Sequence, residues 1–133
     1  IVFMSSEIPV VTQRIASRAN HGVRAVLVQL ADVVSQVATA NEYLDAYRVW
    51  QDVLRAIGAF FASTASVCDA DEHRALILIH GPADDDVELL VQHIAASLTE
   101  LLPEIYDAPV LRYTTRRTPD EGSDLTTLVQ SIL

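Results

Sequence analysis

At 133 residues, half of them hydrophobic, the chain is long enough for one domain with a sizeable core and too short for two. Its formal net charge of -9, reached without a single Lys, opposes the phosphate backbone of nucleic acid, and no apolar run reaches the ~18 residues of a membrane span. A lone cysteine, Cys68, excludes an internal disulfide and a Cys-based metal cluster, which leaves the cytoplasm as the default compartment.

The charge is unevenly placed. Residues 1–68 carry five Arg against five acids, whereas residues 69–133 carry four Arg against thirteen acids. A mean hydropathy of +0.26 with only 20% charged residues predicts more apolar surface than a monomer of this size hides. In chain order, Ile1–Met4 fits a short strand, and a start at Ile1 points to a longer product or to Met4 as the native start. Ser5–Pro9 reads as a loop. Thr12 then suits an N-cap for a helix bearing Ile15, Ala16 and Ala19 on one face, and Asn20-His21-Gly22 ends or interrupts it.

Two readings follow Gly22. Val23, Val26, Leu27, Leu30, Val33, Val34 and Val37 keep helical spacing, which predicts a helix over about 12–38 with a break allowed near 20–22. The β-branched run from Val23 to Leu30 alternatively predicts a strand and a fully α/β domain. The persistence of the spacing favours the helix. Thr39 and Glu42 have capping-box spacing, and Tyr43, Leu44, Tyr47, Trp50, Val53, Leu54, Ile57, Phe60 and Phe61 predict a second helix over about 40–64. Its stripe is too wide for one neighbouring helix, so it must also meet the sheet or another chain. Tyr43, Tyr47, Trp50, Leu54, Ile57 and Phe61 are thus the expected interface. Ser63–Glu72 reads as a helix end and an acidic linker.

The apolar run from Arg74 to His80, closed by Gly81-Pro82, reads as a strand buried on both faces. Asp85 and Glu88 have capping-box spacing for a helix over 85–102, which Pro103 stops. Pro109–Thr114 reads as a second strand, parallel to the first through a right-handed crossover. After a polar turn over 115–124, the tail 125–132 fits a short helix capped by Ser123 or Asp124, or a strand in a hairpin with 109–114. The strand is favoured because two strands alone make too small a sheet. The class is therefore α+β, or α/β under the second reading of 23–30. From residue 74 onward, the strand, helix, strand, strand outline with its apolar first strand and Gly81 turn resembles the C-terminal domain of the FtsZ and tubulin family. The Gly-rich nucleotide loop of that family is absent from this sequence, and no site residue is carried over.

His80 with Asp84, Asp85 and Asp86 stands at a strand end and a helix start, where an imidazole and carboxylates can hold a divalent cation or activate water. The plainer role of these acids is to cap the helix and complement its dipole. Three carboxylates there oppose a phosphate. His21, His73 and His93 have no metal spacing with one another, and no His-Glu-x-x-His, Gly-x-Ser-x-Gly or Cys-x-x-Cys occurs. Acids around Cys68 raise a thiol pKa, so a structural Cys fits better than a nucleophile. Arg112, Arg116 and Arg117 form the one basic cluster, suited to gripping an acidic partner or to a solvated turn. With no complete catalytic constellation, the expectation is a non-enzymatic interaction or assembly subunit without a cofactor. It would associate with a copy of itself or another protein through apolar helical faces, without nucleic acid or membrane span. The alternative is a small α/β enzyme or ligand-binding domain with a divalent cation at His80–Asp86.

Overall fold

The computed structural model describes residues 1–18, 22–40, 45–61, 63–80, 86–103, 105–118 and 124–133. The fold is mixed α+β. In chain order the elements are β1 (Val2–Phe3), a 3-10 turn (Ser5–Glu7), α1 (Ile8–Arg18), β2 (Arg24–Gln29), α2 (Ala31–Ala40) and α3 (Ala46–Phe61). There follow β3 (Ala65–Asp69), β4 (Arg74–Ile79), α4 (Val87–Leu101), β5 (Arg112–Arg117) and α5 (Leu125–Ile132).

The five strands form one sheet in the order β1-β3-β4-β2-β5. β1 runs parallel to β3, and every other neighbouring pair is antiparallel. Because successive side chains of a strand point to opposite faces, β2 and β4 feed two separate cores. Val26, Val28, Ile77 and Ile79 pack with α2, α3 and α4 on one side. Ala25, Leu27, Leu76 and Leu78 pack with α1 and α5 on the other. Helices on both faces explain why β4 is apolar after Arg74, with Ala75 to Leu78 fully buried. Each large side chain so buried contributes about 1.5–3 kcal/mol.

Several expectations need correction. The helix expected over 12–38 is α1, β2 and α2, so the strand reading of Val23–Leu30 is the one observed. Covered on both faces, this strand is apolar at every position from Ala25 to Val28 and satisfies a helical spacing by default. Thr12 sits inside α1 and not at its cap. The helix expected over 40–64 is shorter, Ala46–Phe61, and opens where Arg48 N–H donates to Asp45 Oδ1 at 2.7 Å. Segment 63–72, expected as a helix end and linker, is β3 and a tight turn into β4. The strand expected at 109–114 lies at 112–117. It runs in the same direction as β4, as the crossover requires, but β2 is inserted between them. The tail at 125–132 is α5 and not a strand. Asp124 Oδ1 accepts from Thr126 N–H at 3.1 Å, and Leu125, Leu128, Val129 and Ile132 turn one face into the core. The chain thereby departs from the strand-ended outline that resembles FtsZ and tubulin. None of the described helices is long and apolar enough to cross a membrane.

Candidate functional site

Of the four residues expected to hold a cation, Asp84 and Asp85 lie outside the described residues. His80 follows the end of β4, half-buried, and its backbone N–H donates to Thr64 O at 3.2 Å. Asp86 is the N-cap of α4, with Oδ1 accepting from Leu89 N–H at 3.0 Å. The capping acid is therefore Asp86, one residue beyond the Asp85 of the expected capping box. One of its carboxylate oxygens is committed to the helix, where the dipole favours it. Among the described residues no three His, Cys, Asp or Glu side chains gather as metal donors.

The aromatic stripe divides. Trp50, Leu54, Ile57 and Phe61 are buried against the sheet within the chain, while Tyr47 is 74% exposed and Tyr43 lies outside the described residues. Of the sheet and a second chain as cover for this stripe, the sheet does the covering, with α2 and α4 packed alongside α3. The ring of Trp50 also meets that of His73, centroids 5.4 Å apart. Four of the six residues expected at an interface are thus core. Phe60 stays exposed at the rim and meets Phe61 edge-on at 5.0 Å.

The Arg cluster lies on a strand and not in a turn. β5 bonds to β2 in register from Arg24↔Arg117 to Gln29↔Arg112, and it ends the sheet. None of its six residues is buried. Tyr113, Thr115 and Arg117 share the face of their partners Val28, Val26 and Arg24, and Arg112, Thr114 and Arg116 occupy the other. Side-chain bonds tie the strand to its neighbour: Arg24 Nη1 donates to Thr115 Oγ1 at 3.2 Å, and Thr115 Oγ1 donates to Ala25 O at 3.1 Å. Arg116 Nη1 donates to Thr115 O at 2.8 Å. Among the described residues neither Arg112 nor Arg116 is joined to a carboxylate. Just before the strand, Tyr106 is 85% and Val110 96% exposed. A recess of about 100 Å³ opens beside Val110, between it, Arg112 and the start of α2 at Asp32.

The sequence marks this edge through Arg112-Tyr113-Thr114-Thr115-Arg116-Arg117, a β-forming run polar on both faces, which suits a strand with water on its outer side. The chain matches no protein-family model, and no curated protein matches it significantly.

Proposed function

We propose that the protein is a non-enzymatic interaction module that takes an extended, acidic segment of a partner protein as an added strand along β5. The observation that carries this reading is the position of β5: it ends the sheet, so its outer row of backbone N–H and C=O groups faces no further strand among the described residues. Arg112 and Arg116, unneutralised among the described residues, supply the charge that favours carboxylates. Exposed Val110 and Tyr113 add apolar contact at the same end.

The same strand argues against a symmetric pairing of two copies through it. Antiparallel β5 to β5, centred on Thr114, sets Arg112 opposite Arg116 on the same face, and like charges directly opposite are destabilising. A second copy is therefore the poorer occupant, and a partner with Glu or Asp at alternate positions the better one.

The test is fluorescence anisotropy with a labelled eight-residue peptide alternating Glu and Val. Saturable binding is expected that weakens with added salt and falls about tenfold or more in the Arg112→Glu, Arg116→Glu double variant. Equal binding by that variant, or no binding at millimolar peptide, overturns the reading. A light-scattering mass of two chains that reverts to one in the double variant would replace the acidic partner with a second copy.

A further inference from the structure

On the side of the sheet opposite α2–α4, a cleft of about 380 Å³ opens between the start of α1, the β3–β4 turn and the end of α5. Its walls are mainly apolar, from Ile8, Pro9, Val129 and Leu133, and two charged residues, Asp71 and Arg74, line it as well. Three features set it apart from a packing defect.

The first is the turn. Asp71, Glu72 and His73 all have left-handed backbone, φ 64°, 55° and 56°, at about 1–2 kcal/mol each for residues other than Gly. This run places Asp71 and Arg74 on the same cleft. The second is the state of those two charges. Arg74 donates from Nε to Asp71 O, from Nη1 to the Leu133 main-chain oxygen and from Nη2 to Ala70 O. Two of the five guanidinium N–H groups remain, held in a fixed orientation. Asp71 and Arg74 form no ion pair with each other, although they line one space. The third is Thr12, also in the wall: the residue is 1% exposed and, among the described residues, its Oγ1 has no hydrogen-bond partner. A helix Thr ordinarily bonds back to the preceding turn, so an orphaned hydroxyl beside a cavity is a costly feature without an occupant.

We propose that this cleft binds a free α-amino acid with a mainly apolar side chain. The α-carboxylate meets the remaining N–H groups of Arg74, and the α-ammonium meets the Asp71 carboxylate. The side chain lies along Ile8, Pro9 and Val129. At roughly 30 Å³ per water the space holds about a dozen waters, ample room for an amino acid with a large side chain. A hydroxyl at the inner end of the ligand supplies the partner that Thr12 Oγ1 lacks. A simple carboxylic acid would leave Asp71 facing an anion, and a simple amine would leave Arg74 unmatched.

The test is calorimetric titration with L-phenylalanine, L-tyrosine, 3-phenylpropanoate and phenethylamine. Both amino acids are expected to bind about tenfold or more tightly than either single-charge analogue, and tyrosine more tightly than phenylalanine. Asp71→Asn, whose amide tolerates the left-handed backbone, should lower phenylalanine affinity to that of 3-phenylpropanoate and leave the latter unchanged or tighter. Arg74→Lys keeps the charge and loses the fork, and should weaken both carboxylates. Thr12→Val should erase the advantage of tyrosine over phenylalanine and raise the melting temperature of the free protein, since it removes a buried orphan. Equal affinity for phenylalanine and 3-phenylpropanoate, an unaltered profile in Asp71→Asn, or no heat with any of the four compounds overturns the proposal.

Discussion

β4 and β5 flank the same strand. Each pairs with all six residues of β2, so that Val26 has Ile77 on one side and Thr115 on the other. Yet β4 has five buried residues of six and β5 has none. The difference lies beyond them: β4 hands its outer edge to β3, and β5 ends the sheet. Equal backbone pairing thus yields a central strand that holds the fold and an outer one that, among the described residues, has no strand beyond it.

Paired substitutions across Val26 break this comparison most directly. Ile77→Ala removes a fully buried side chain between the sheet and the three-helix layer and should cost about 2–5 kcal/mol, read as a lower urea midpoint at unchanged slope. Thr115→Ala, equally close to Val26, removes the two hydrogen bonds to Arg24 and Ala25 O at a half-exposed site and should cost only about 1 kcal/mol. Similar losses for the two would mean that β5 is as integral to the fold as β4.

At neutral pH the smallest effect belongs to Cys68, on the neighbouring strand β3. Burial, aided by the charge of Glu7, pushes its thiol from 9.0 up to about 12. Below pH 9 the thiol is protonated in both folded and unfolded chains and its titration changes nothing. As pH rises from about 9 towards 12 the unfolded thiol ionises first, so the folded state loses stability across that window. Native protein at pH 8 should resist iodoacetamide until denatured, and rapid labelling of the native form would contradict the buried placement.

The contrast between the two strands also explains what the sequence reveals. β4 reads correctly because a doubly covered strand is an apolar block closed by a turn, and α3 and α4 read correctly because one face of each is buried at helical spacing. β2 is concealed by the same double cover: Val23, Val26, Leu27 and Leu30 match a helix as well as a strand, and they run into Val33, Val34 and Val37 of a true helix. β3 is built from small residues, Ala65, Ser66 and Cys68 among its five, and carries no hydrophobic block. In α5 the β-branched Thr126, Thr127 and Val129 suggest a strand, while the spacing of Leu125, Leu128, Val129 and Ile132 records the helix. The arginines of β5 are visible as a cluster, but their place on an open edge depends on pairing with β2, far away in the chain. The cleft is less legible still: Thr12, Asp71, Arg74 and Val129 come from three separate segments and share no spacing.

Hydrogen exchange of the backbone amides, followed with and without the acidic peptide, tests the division of labour between β4 and β5. The account predicts that β4 amides exchange only through global unfolding, while outward amides of β5 exchange fast in the free protein and slow markedly when the peptide is bound. β5 amides as protected as those of β4 in the free protein, or unaffected by saturating peptide, would contradict it.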